Sequence, residues 1–189
     1  LILIIFCFIS FGSWINDWVG LSVGQVVNAM LLGFGVAFAE ELLFRSWLWG
    51  EIRLHGAVKW GLFLQAFIFS IAHIRFDLEG AHLMTLLIGL FLFGLVLGVR
   101  RELDQGSLWG CIGLHGGLIS IWFLLSQSLE LSDNVPNWLI GPGVPPNPIG
   151  GLISMLTLSG ILLYHRNVLD RRGRFFTFTD KASSNVAKP

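Results

Sequence analysis

LSVGQVVNAMLLGFGVAFAEELLFRSWLWG, residues 21–50, decides the fold. Thirty residues pass with no charge except Glu40, Glu41 and Arg45, which fall within six positions. A bilayer core takes about 20 apolar residues as a helix. At 1.5 Å per residue this run is about 45 Å long, so a helix here must tilt or leave the hydrocarbon at one end. A charge at the centre of a membrane helix costs about 2.5–3.5 kcal/mol, so the three require partners or a cavity.

The rest of the chain has the same character. Of 189 residues, 54% are hydrophobic and 13% charged, against about 25% charged in a soluble domain. The expected fold class is all-α, a polytopic transmembrane helical bundle of about six spans. They fall near 1–12, 21–50, 57–73, 82–99, 107–127 and 149–164. The first is too short to span and begins mid-run at Leu1, so an incomplete N-terminal helix is expected. The 128–148 loop holds GPGVPPNP, which breaks helices. Two domains follow: residues 1–165 in the membrane, and a basic, disordered cytoplasmic tail at 166–189.

With 12 basic and 12 acidic residues the net charge is zero, which gives no sign of nucleic-acid binding. The basic residues are unevenly placed. In a six-span arrangement Arg53, Lys59, Arg100, Arg101, Arg166, Arg171, Arg172, Arg174, Lys181 and Lys188 share one side, and Arg75 alone among basic residues lies opposite. The positive-inside rule makes the first side, with both ends, cytoplasmic. Trp47, Trp49, Trp60 and Trp109 are expected at that boundary and Trp14 and Trp18 at the other. Cys7 and Cys111 support neither a disulfide framework nor a CxxC metal site. GxxxG occurs at Gly94–Gly98 and Gly113–Gly117, a pattern that lets helices approach closely.

The intramembrane polar residues carry the functional argument. Glu41 and Arg45 are i,i+4 neighbours with the acid N-terminal, a favourable ion pair. Glu40 is left over, about 100° around the helix, and becomes a candidate general base or acid. His73 ends the third span, one turn after Phe69. His115 sits among small residues in the fifth. His55, His82 and His165 read as surface residues. Counted from the cytoplasmic ends, Glu40 lies about 15 Å deep, His115 about 12 Å and His73 about 20–24 Å. His73 fits least well unless its span tilts or starts later. A glutamate and two histidines on three spans can activate water, bind zinc with water as the fourth ligand, or relay protons in a transporter.

EExxxR at Glu40, Glu41 and Arg45, FxxxH at Phe69 and His73, and a third motif beginning at His115 resemble the CPBP family. These are the CAAX prenyl protease and bacteriocin-processing membrane proteins, also called the Abi family. The resemblance covers residues 21 to 127. It implies that Glu40 activates water, that His73 assists at the water, and that Glu41, Arg45 and Phe69 support the site. It implies further that His115 stabilises the oxyanion and that no metal or other cofactor is needed. The third motif reads HxxxN or HxxxD in the family. Here Ile119 stands four residues after His115 and cannot donate a hydrogen bond. Losing one such donor costs about 10²–10³ in rate. Ser120 points about 100° away, and Asn28 lies twelve residues from Glu40, about 18 Å along the same helix.

The expected function is an intramembrane endopeptidase acting on a membrane-associated peptide or protein. The alternative is an impaired protein on the same scaffold that binds a membrane-protein partner in immunity or assembly. The expected location is a bacterial plasma membrane or a thylakoid-type membrane.

Overall fold

The computed structural model describes residues 10, 12–14, 21–55, 60–131 and 135–172. The fold is all-α, a bundle of helices apolar along their length. Helix α1, Val23–Leu54, runs for 32 residues. It starts from a capping box: Ser22 Oγ accepts from the Gln25 amide at 3.2 Å, and Gln25 Oε1 accepts from the Ser22 amide at 2.8 Å. Together they satisfy two otherwise orphaned N–H groups. Within α1, Leu42–Leu48 form a π-helical segment of seven residues.

Helices α2 (Gly61–Ala72), α3 (Gly80–Leu103) and α4 (Trp109–Ser128) follow. A short α5 (Asn137–Ile140) and a 3-10 turn at Pro148–Gly150 lead into α6, Leu152–Arg172. The α3–α4 turn closes at Gln105 and Gly106, both with positive φ. One small antiparallel ladder joins β1 (Gly12–Trp14) to β2 (Leu129–Leu131), pairing Ser13 with Glu130.

Helices α1, α3 and α4 are long and apolar enough to cross a membrane; α2 and the Leu152–Arg166 part of α6 are apolar but shorter. The 12 residues of α2 reach about 18 Å of a core about 30 Å thick. The expected span at 1–12 falls almost wholly outside the described residues. Helix α6 continues to Arg172, eight residues past the expected span end, so the start of the expected tail is helical. Residues 173–189, with Arg174, Lys181 and Lys188, lie outside the described residues, as do Cys7, Trp18 and Lys59.

Two antiparallel pairs build the bundle. Helix α4 runs back along α1: Gln25 Nε2 donates to Gln127 Oε1 at 3.1 Å, Ser120 Oγ to the Ala29 carbonyl at 2.9 Å, and His115 Nδ1–H to Glu41 Oε1 at 2.8 Å. Gly33 and Gly116 make the approach possible, because a Cβ on Gly33 would stand 2.4 Å from the Gly116 carbonyl oxygen. Helix α3 runs back along α2. Ser70 Oγ donates to the Leu87 carbonyl at 2.7 Å, and Gln65 Nε2 to the Gly94 carbonyl at 3.0 Å. Gly94 and Gly98, the first GxxxG pair, face α2 there, whereas a Cβ on Gly113 of the second pair would meet nothing within 4 Å.

The apolar core gathers Phe44, Phe69, Leu86, Phe93, Leu97 and Ile149. Outside it, Met30, Leu31, Phe34 and Phe38 of α1 are exposed, as a lipid-facing surface requires. Trp47, Trp60 and Trp109 are exposed too, but Trp49 is buried, with the Arg101 guanidinium 5.4 Å from its ring. It belongs to the α1–α3 contact and not to an interfacial belt.

Candidate active site

Glu40 and Glu41 are adjacent on α1, so a helix turns them about 100° apart and gives them different neighbours. Glu41 points inward. Its Oε1 accepts from Arg45 Nη1 at 3.1 Å and from His115 Nδ1–H at 2.8 Å. Arg45 and Glu41 are both fully buried. The ion pair expected from the i,i+4 spacing is present, and it extends to a third residue on another helix. Glu41 Oε2, Arg45 Nε and Arg45 Nη2 find no hydrogen-bond partner among the described residues.

Arg45 is also held by rings. Its guanidinium lies 4.2 Å from the Phe69 ring centroid and 5.8 Å from that of Phe44. Cation–π attraction of this kind strengthens where water is excluded. Phe69 meets the His73 ring at 4.4 Å on its other contacts, and Phe44 edge-on at 5.1 Å. This ring cluster ties the EExxxR segment to the FxxxH segment.

Glu40 faces the histidines. Its Oε2 stands 3.2 Å from His73 Nε2 and 3.8 Å from His115 Nε2. The first is an ion-pair distance without hydrogen-bond alignment, and Oε2 has no protein hydrogen bond. Glu40 and His73 keep 24% and 30% of their side-chain surface open, whereas Glu41 and Arg45 keep none. Of the two carboxylates, Glu40 alone is partly exposed, although its Oε2 is buried against the imidazoles.

His73 caps the C-terminus of α2. Its Nδ1–H donates to the Phe69 carbonyl at 2.7 Å, which turns Nε2 toward Glu40. Helix α2 begins at Gly61, four residues later than its expected span, and His73 Nε2 reaches Glu40 Oε2 at 3.2 Å. The π-helical turns begin directly after Glu41; such segments occur frequently at functional sites.

The structure therefore brings together Glu40, His73 and His115, with Glu41, Arg45 and Phe69 behind them. Among the described residues no group of three or more His, Cys, Asp or Glu side chains is arranged to hold a metal ion. Phe93, on α3, had no signal in its uniformly apolar sequence. Its ring meets His115 edge-on at 5.3 Å. Ser120 is turned to α1 and gives its hydroxyl to the Ala29 carbonyl. Asn28 is exposed. Neither stands in for Ile119.

A family model described as Type II CAAX prenyl endopeptidase Rce1-like matches residues 22–121. The chain belongs to this family. The match opens at the N-cap of α1 and closes two residues after Ile119, so it contains every residue of the candidate site just described. No curated protein and no solved structure matches the chain. Membership in the CAAX prenyl endopeptidase family, with three helices able to span, makes this an integral membrane protein.

Proposed function

We propose that the protein is an intramembrane endopeptidase that hydrolyses peptide bonds of a membrane-associated peptide or protein with a Glu40-activated water. The observation that carries this reading is the position of Glu40. It is the partly exposed side chain of the pair, and two imidazole nitrogens from other helices lie 3.2 and 3.8 Å from one of its oxygens.

Glu40 takes a proton from a water held against His73, and the hydroxide attacks the scissile carbonyl carbon. General-base help of this kind contributes about 10²–10⁴ in rate. His115, fixed at Nδ1 by Glu41, directs Nε2 into the site to stabilise the oxyanion. Glu40 then passes its proton to the leaving amine. Because Glu41 and Arg45 are buried and mutually paired, they orient this set and do not react. The site operates in a bacterial plasma membrane or a thylakoid-type membrane with the basic helix ends cytoplasmic. Such an arrangement suits prenylated substrates carried on the same leaflet.

The test is cleavage of prenylated and unprenylated C-terminal peptides by purified protein and its Glu40→Gln variant. Turnover by the parent and loss in the variant is the expected result. Equal background in both overturns the reading.

A second reading rests on Ile119. With an apolar side chain at the donor position and Ser120 committed to Ala29, the scaffold serves as a non-catalytic binding or assembly factor in immunity or membrane-protein biogenesis. In that case Glu40→Ala and His115→Ala keep the cellular phenotype and a membrane-protein partner co-purifies with both.

A further inference from the structure

The site has a gap and a surplus. The gap is Ile119, one turn beyond His115 on the same face of α4, whose side chain cannot donate a hydrogen bond. The surplus is the second imidazole. His73 Nδ1 lies 2.7 Å from the Phe69 carbonyl oxygen. A carbonyl only accepts, so Nδ1 carries the hydrogen and a neutral ring leaves Nε2 bare. That bare nitrogen would stand 3.2 Å from a carboxylate oxygen of Glu40, two acceptors in contact. His115 has the same arrangement, with Nδ1–H on Glu41 and Nε2 toward Glu40. The contact is favourable only as an ion pair, with the proton carried on an imidazole and not shared in an aligned hydrogen bond. His73 Nε2 is the nearer of the two ring nitrogens, 3.2 Å from Glu40 Oε2 against 3.8 Å for His115, so with Glu40 acting as the base the proton of this ion pair is placed on His73.

We propose that His73, as an imidazolium, supplies through Nε2–H the oxyanion donor that Ile119 lacks. This rests on the endopeptidase reading and changes the part His73 plays in it. The water loses one proton to Glu40 and its hydroxide bonds to the carbonyl carbon. The carbonyl electron pair moves to oxygen and is held by the His73 Nε2–H. When the C–N bond breaks, Glu40 returns its proton to the amine nitrogen and the oxygen pair restores the carbonyl. His73 keeps its proton throughout. The groups facing it are Glu40 and Arg45 from α1, His115 from α4 and the Phe69 carbonyl from α2. Arg75 and Asp77, in the loop that follows, are paired with each other, and α3 contributes the Phe93 ring behind Phe69.

The experiment compares the full chain with His73→Ala, His73→Gln, Ile119→Asn and the His73→Ala/Ile119→Asn double variant, using one prenylated peptide and thermal unfolding to verify folding. His73→Ala lowers kcat by about 10²–10³ with little change in KM. Adding Ile119→Asn restores at least about tenfold, because an amide then occupies the donor position. His73→Gln, which donates without titrating, retains more kcat than His73→Ala. It also lacks the fall in kcat that the parent shows as pH rises through the imidazole range. Folded variants in which Ile119→Asn gives no rescue and Gln behaves as Ala overturn the proposal and return His73 to the water. Should His73→Ala fail to fold, the Gln variant and its pH profile decide alone. No turnover by the parent overturns the endopeptidase reading itself, an outcome distinct from failed rescue.

Discussion

His115 Nδ1 lies 2.8 Å from Glu41 Oε1, and Arg45 Nη1 reaches the same oxygen at 3.1 Å. One buried carboxylate oxygen thus joins an intrahelical ion pair to an imidazole 74 residues further along the chain. The second glutamate of the pair is the strut on which the third motif hangs, while the first is left to face the opening.

Glu41→Leu removes that strut. It leaves Arg45 as a buried, uncompensated charge and His115 Nδ1–H without an acceptor. Breaking a buried pair costs about 3–5 kcal/mol. Thermal unfolding in detergent should show a large drop for Glu41→Leu and a smaller one for Glu41→Gln, whose amide oxygen still accepts from His115.

Glu40→Gln should separate stability from chemistry. The side chain is partly open and makes no aligned hydrogen bond, so stability changes by about 1 kcal/mol or less. Peptide hydrolysis should fall by about 10²–10⁴. Parallel melting curves and single-turnover cleavage check both halves.

Gly33→Ala should damage the site from a distance. The new Cβ would stand 2.1 Å from Ser120 Oγ and 2.4 Å from the Gly116 carbonyl oxygen, and backbone cannot give way as a side-chain tip can. Overpacking costs about 1–3 kcal/mol. The strain forces α4 off α1 and draws His115 from Glu41, so hydrolysis falls as well. Gly113→Ala, with nothing within 4 Å of its Cβ, is the matched control and should change neither quantity.

Phe69→Ala opens a cavity where Arg45, His73, Phe44 and Phe93 meet. Phe69 is 1% exposed, and such truncations cost about 3–5 kcal/mol. Unfolding measurements should show it to be more costly than Glu40→Gln, with activity lost through a disordered His73.

Much of this was legible in the residue order. Long apolar runs dictate membrane helices because unsatisfied backbone groups are costly in lipid. Three motifs on three such runs named six residues that the structure brings together, and the i,i+4 rule paired Glu41 with Arg45. Helix ends were less legible: α2 starts at Gly61 and α6 runs to Arg172, because termini follow packing and capping as well as hydropathy. The burial of Trp49 and the ring of Phe93 were invisible, since an apolar helix surface reads the same whether it faces lipid or protein.

The sequence by itself determined that this chain is a helical membrane protein and which few polar residues its membrane part must accommodate, because the cost of burying charge is local and additive enough to read residue by residue. Only the tertiary structure decided which glutamate is buried and which is open, since that depends on α4 crossing α1 at Gly33 and Gly116. It also decided where each imidazole nitrogen points. The Phe69 carbonyl holds one Nδ1 within a single turn and the Glu41 carboxylate holds the other from a distant helix, and the second kind of bond leaves no trace in spacing.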